Sequence, residues 1–150
     1  MENQATNQKS NSKKTQSRLN AFTFAISIAS IGAVVLIFFP WFSPMNSQLQ
    51  VTEAVSGPAM EAPFFGIPFI YPLLTLYLIA SGVAWASKTG HIRITTGKPI
   101  IETSLLISVA ALFELLFSYH QFGNFHMGYW ANFAFAVTFS IWALFLPKKA

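Results

Sequence analysis

The sequence predicts an all-α membrane protein, a four-transmembrane-helix bundle with N- and C-termini cytoplasmic, and three observations carry that expectation. Over 150 residues, 53% are hydrophobic and 9% charged, and the mean hydropathy is +0.49. Soluble domains carry about 25% charged residues, so this composition belongs to the membrane class. Four apolar runs, residues 21–42, 67–87, 100–119 and 129–146, are each long enough for a helix to cross ~30 Å of hydrocarbon at ~1.5 Å per residue. All nine basic residues fall in three places: Lys9, Lys13, Lys14 and Arg18 before the first run, Lys88, Arg93 and Lys98 between the second and third, and Lys148 and Lys149 after the fourth. In a four-span chain those places share one face, which the positive-inside rule makes the cytoplasmic face of the plasma membrane.

Residues 1–20 are rich in Asn, Gln, Ser and Lys and cannot bury enough surface to offset ordering entropy, so a disordered basic cytoplasmic tail is expected, with a docking or phosphorylation segment as the functional alternative. The transmembrane domain follows over 21–147. Its first run is longer than the ~7–15 apolar residues of a signal peptide and no small-x-small cleavage site follows Phe42, which favours an anchored helix. An outer loop over 43–66 is punctuated by Pro44, Gly57, Pro58 and Pro63, and its stretch SQLQVTEAV could form a short strand. Glu53 and Glu61 lie there without a balancing cation and are candidate partner contacts, the plainer reading being a tether.

Pro68 and Pro72 fall in the first turns of span two, where a bend costs least. The cytoplasmic loop, 88–99, places an alternating His91-Ile92-Arg93-Ile94-Thr95 between Gly90 and Gly97, the pattern of a short hairpin. The Gly97-Lys98-Pro99 sequence lacks the second glycine and the Ser or Thr of a phosphate loop, which excludes that mode of nucleotide binding. Pro99 instead suits the first turn of span three, with Glu102 near its positive dipole end. Residues 148–150 form a short cytoplasmic C-terminal tail. Trp41, Tyr71, Tyr119, Tyr129 and Trp130 are expected as an outer interfacial belt, and Trp85 and Trp142 as its inner counterpart.

Helices in lipid pack through small residues. Ala21, Ala25, Ala29 and Ala33 recur every fourth position of span one, beside Ser30 and Gly32. Gly82 and Ala86 serve span two, Ser104, Ser108 and Ala111 span three, and Asn132, Ala136, Ser140 and Ala143 span four. These are expected as helix-packing seams, within the chain or toward a partner.

Glu114 is the one ionisable side chain well inside a span, five residues or roughly 7 Å below the outer end of span three by helical rise. A carboxylate at that depth must be protonated, paired or facing a wet cavity. No Lys or Arg lies in any span, so Tyr71, Thr75 and Asn132, at similar depth, are its candidate hydrogen-bond neighbours. Two roles stand open: a proton or cation site, and a structural or partner contact, the second favoured because the spans offer few midplane polar groups.

The net charge of +4 follows the membrane boundary rather than a folded basic face, so no nucleic-acid partner is expected. Without cysteine or aspartate there is no disulfide, no thiolate metal site and no Ser-His-Asp triad, and His120 and His126 in the outer connection have no standard metal-ligand spacing. No catalytic activity, cofactor or metal is expected. A four-span chain with a membrane glutamate resembles the small multidrug resistance exporters in span count alone. Their essential Glu lies in the first helix, whereas span one here is uncharged, so no family is recognised. The expected role is an accessory subunit or immunity-type factor whose partners are the bilayer and another membrane protein or a second copy. The alternative is a small proton-coupled transporter with a small-molecule substrate, working through Glu114.

Overall fold

The computed structural model describes residues 2–45, 50, 52–57, 63–64 and 67–146, and each apolar run forms a helix. These are α1 (Glu2–Leu36), α2 (Ile70–Lys88), α3 (Ile94–Tyr119) and α4 (Met127–Leu144). Three are long and apolar enough to cross a membrane: α1 over Gln16–Leu36, α2 and α3. In them only 33–39% of the most apolar stretch is buried, so most of the apolar surface faces outward, far more than a water-soluble bundle leaves exposed. The fourth, 18 residues long, is diluted by Tyr129, Trp130, Asn132, Ser140 and Trp142 and falls outside that group.

Helix α1 packs on α2, α2 on α3, α3 on α4, and α4 closes back on α1. Every buried face follows alternating three- and four-residue steps: Leu19, Thr23, Ile26, Ser30, Ala33 and Ile37 on the first helix, Leu73, Tyr77, Ala80, Ala84 and Ser87 on the second. The third buries Ile101, Leu105, Ser108, Leu112 and Leu115, and the fourth Tyr129, Asn132, Ala136, Phe139 and Ala143. That spacing is the left-handed seam of coiled coils and most four-helix bundles.

Element boundaries differ from the expected ones for local reasons. Helix α1 runs back to Glu2 through the polar N-terminal stretch, which contains neither Gly nor Pro to stop a helix already nucleated downstream. It ends at Leu36 rather than 42, because Pro40 forces the preceding backbone out of the helical region. No hairpin forms between α2 and α3. A single left-handed glycine, Gly90 at φ 81°, reverses the chain, and the helix resumes at Ile94. Pro99 therefore lies inside α3 rather than in its first turn. The Thr95 carbonyl it leaves without an N–H partner sits, like Pro99 itself, on an exposed surface at the helix end, where the loss costs least. Gly97 is helical too, and a side chain there would collide with Ser87 of α2, so glycine lets the two helices approach.

A small antiparallel sheet, absent from the expected all-α architecture, covers one end of the bundle. Strands β1 (Pro40–Pro44), β2 (Val55–Ser56) and β5 (Gly123–Phe125) lie in the order β2-β1-β5, pairing Phe42 with Phe125 and Ser43 with Asn124. Strands β3 (Pro63–Phe64) and β4 (Ile67–Pro68) form a separate pair. Of SQLQVTEAV, Val55 alone is in a strand, and residues 47–49 and 51 lie outside the described residues.

Trp41 is the wedge beneath this sheet, fully buried and not in an interfacial belt. Its indole N–H donates to the Leu36 carbonyl at 2.9 Å, and its ring meets Phe69 and Tyr129 edge-on. Tyr129 is likewise interior, its hydroxyl donating to the Leu112 carbonyl at 2.7 Å. Tyr71, Trp85 and Trp130 are exposed as a belt requires, while Tyr119 and Trp142 are half-buried. At the opposite end, Lys98 is buried and donates to the carbonyls of Leu144 and Leu146, with the Glu102 carboxylate at 3.5 Å. Its ammonium thus caps the last turn of α4, where the helix dipole is negative.

Two substitutions test these end contacts. A Cβ at Gly128 would come 2.3 Å from Trp41 Cδ1 and 2.8 Å from the Pro40 carbonyl, so Gly128→Ala is expected to destabilise the protein by about 1–3 kcal/mol in detergent-based unfolding. Lys98→Met removes the cap and is expected to cost about 1–2 kcal/mol by the same measurement.

Candidate functional site

Because α3 turns Ile101, Leu105, Ser108, Leu112 and Leu115 inward, the helical period turns Thr103, Ile107, Ala110, Glu114 and Phe117 outward. Glu114 is exposed, five residues from the end of α3 at Tyr119 and thus roughly 7 Å along the axis. No hydrogen bond or ion pair joins it to another described residue. Around it Ile107, Phe113 and Phe117 are also exposed, so the carboxyl stands in an apolar outer surface.

The neighbours expected by depth do not gather around it. Tyr71 is 60% exposed on α2, and the Thr75 hydroxyl is spent on its own helix, donating to the Tyr71 carbonyl at 2.9 Å. Asn132 is fully buried on the inward face of α4. Its amide N–H donates to the Gly128 carbonyl at 2.9 Å and reaches the Ala33 carbonyl of α1 at 3.5 Å, while its Oδ1 has no partner among the described residues. The Tyr77 hydroxyl donates to the Asn132 carbonyl at 3.4 Å. Asn132 therefore joins α1, α2 and α4 at the bundle centre rather than serving Glu114.

The expected packing residues divide in the same way. Ala33, Ser104, Ser108, Ala111, Asn132, Ala136, Ser140 and Ala143 are buried, Ala25, Ala29, Gly32 and Ala86 are half-buried, and Ala21 and Gly82 are exposed. The seam of α1 runs one position away from the alanine stripe, and α2 packs through Ala80 and Ala84 instead. In the outer loop Glu53 is exposed, and Glu61 lies outside the described residues. His126 ties β5 to β1, its Nε2 lying 2.6 Å from Ser43 Oγ and its backbone N–H donating to the Trp41 carbonyl at 2.9 Å. His120 is exposed, with Nδ1 3.0 Å from the Phe117 carbonyl.

A second outward feature went unrecognised in the sequence. Between α1 and α2 lies a groove of about 460 Å³, walled by Ile31, Val35, Tyr77, Leu78, Gly82 and Trp85. Its lining is mainly apolar, and the polar groups in it pair with one another: Ser30 and Ser81 hydroxyls are 2.8 Å apart, and the Trp85 indole N–H donates to Ser27 Oγ at 2.8 Å. The only sequence signal for it is a coincidence of Ser27 and Ser30 with Ser81 and Gly82 on antiparallel neighbours, which hydropathy does not register.

If Glu114 is a surface group and Asn132 an interior tie, their substitutions separate cleanly. Glu114→Leu is expected to leave the melting temperature of the purified protein within about 2 °C, whereas Asn132→Ala is expected to cost about 1–2 kcal/mol. The chain matches no protein-family profile, no curated protein and no solved structure, so the reading of this site rests on its own geometry.

Proposed function

We propose that this is a four-span plasma membrane protein without catalytic activity, both termini cytoplasmic, that acts by binding another membrane protein as an accessory subunit or immunity-type factor would. The observation that carries the proposal is the outward, unpartnered carboxyl of Glu114. A charged group inside the hydrocarbon carries a cost that reaches ~2.5 kcal/mol at the centre and falls toward the interface, and such residues are rare within spans unless something pairs with them. An outward position on α3 favours a partner's helix over an internal pathway.

Two further features support the topology. Arg18, Lys88, Arg93 and Lys98 stand at one end of the bundle, and the sheet and its aromatic residues at the other, in keeping with the positive-inside rule. Helix α4 closes on both α1 and α3 and is tied at its base by Lys98, which favours counting it as a fourth span despite its polar residues.

The transporter reading draws on the same Glu114 and requires an oligomer, since the carboxyl faces away from the bundle interior. Purification in mild detergent at native expression, with mass spectrometry of stoichiometric companions, tests both. A membrane partner that Glu114→Gln releases is the expected result. A defined homo-oligomer whose pH-dependent flux is lost in Glu114→Gln would make the protein a transporter instead.

A further inference from the structure

The groove between α1 and α2 has the size of a ligand site, within the ~300–1,000 Å³ usual for small-molecule pockets. It runs over Ser27–Val35, eight residues or ~12 Å by helical rise, close to the ~15 Å hydrocarbon depth of one leaflet. Beyond it the helices close on each other. At the basic end the Thr23 hydroxyl reaches the Ala84 carbonyl at 3.4 Å, and at the sheet end the loop residue Gly57 fills the gap between them, donating to the Ile37 carbonyl at 2.9 Å beside Ile70. A transmembrane helix docking here would need a face open along the full bilayer. A single acyl chain needs only this length.

Gly82 bears on the same point. A glycine inside a helix costs about 0.5–1 kcal/mol relative to alanine, yet a Cβ at Gly82 would meet nothing within 4 Å. Packing within the chain does not call for this glycine. It lowers the wall of the groove.

The basic end of the groove is charged. Lys88 holds its ammonium 4.2 Å from the centroid of the Trp85 ring, a cation–π contact that leaves its N–H donors free to bind an anion. Arg18 is also exposed at this end, but it lies one turn from Phe22, which packs on α4, so Lys88 is the cation on the groove side. No Asp or Glu occurs in residues 16–36 or 70–88 to neutralise them.

We propose that this groove binds one phospholipid with an anionic headgroup, its acyl chain lying over Gly82 between the two helices and its phosphate held by Lys88. The Ser27–Trp85 pair forms the floor beneath the upper part of the chain.

The full-length protein is reconstituted in nanodiscs of equal phosphatidylglycerol and phosphatidylcholine, and retained lipid is counted by native mass spectrometry after transfer to mild detergent. One retained phospholipid, mostly phosphatidylglycerol, is expected. Gly82→Leu should reduce retention at least about tenfold, a change of ~1.4 kcal/mol, with an unchanged melting temperature. Lys88→Gln should keep the lipid and lose the headgroup preference. Should Gly82→Leu melt differently, Leu78→Trp fills the same space from an exposed wall position. The proposal is overturned if no lipid is retained, if neither groove-filling variant reduces retention, or if the wild type takes both lipids equally. It is also overturned if a photo-reactive residue at position 78 captures a protein helix or a second copy of this chain instead of lipid.

Discussion

Hydrocarbon offers no water to a polar group, and that constraint orders the interior of this protein. Hydroxyls in the helices fold back onto carbonyls of their own turn: Thr23 to Leu19, Ser27 to Thr23, Thr75 to Tyr71 and Ser108 to Ser104. Others reach a neighbour, as Ser30 does to Ser81 and Tyr129 to the Leu112 carbonyl. Among the described residues the buried side-chain atoms left without a partner are Ser87 Oγ, Asn132 Oδ1 and Ser140 Oγ. All three belong to small or short polar residues on packing seams, where the close approach of two helices repays a single missing bond. Among the described residues Glu114 sets a carboxyl into an apolar outer face, and it is the residue on which the functional reading turns.

The ends of the bundle complete the pattern by two different means. At the sheet end, Trp41 fills the space that the helices leave as α1 gives way to β1, and Gly57 and Gly128 let backbone approach its ring. The β1–β5 pairing then fixes the connection between α3 and α4 against the exit from α1, with Gly123 admitting the Ser43 carbonyl where a Cβ would lie 2.2 Å away. At the other end, Lys98 offers its charge to carbonyls that α4 cannot satisfy itself. One closure relies on ring packing and the other on a charge-assisted cap, suited to a boundary where water and headgroups begin.

Much of this architecture is legible in the amino-acid order, and what is not has a common physical cause. Run length and hydropathy locate four helices to within a few residues at most ends, because a helix crossing lipid must be long and apolar whatever it packs against. Which side of each helix faces inward is harder to read. When apolar residues surround the whole circumference there is no amphipathic stripe to reveal it. The alanine stripe of α1 therefore points one position away from the true seam, and depth alone groups Glu114 with Asn132 although the two face opposite ways. Small polar residues are a partial guide: Thr23, Ser30, Ser104, Ser108, Asn132 and Ser140 turn inward, whereas Thr75, Thr103 and Thr138 are exposed. Trp41 misleads for a related reason, since an aromatic residue after a span is read as interfacial until a sheet covers it. Strands of two to five residues carry too little pattern to be read from sequence.

The two outward features belong to different parts of the ring. Helix α1 contacts α2 and α4, and the groove lies on its α2 side, whereas Glu114 stands on α3. A lipid seated between α1 and α2 would therefore leave the α3 face open to a protein, and the two could be held together. Meanwhile Phe22, Tyr77, Leu112, Asn132, Phe135 and Phe139 occupy the centre of the bundle, with Phe22 edge-on to Phe139, Tyr77 edge-on to Phe135, and the Tyr77 hydroxyl donating to the Asn132 carbonyl. The binding role proposed above accords with this distribution, in which one carboxyl and one groove interrupt a mainly apolar outer surface.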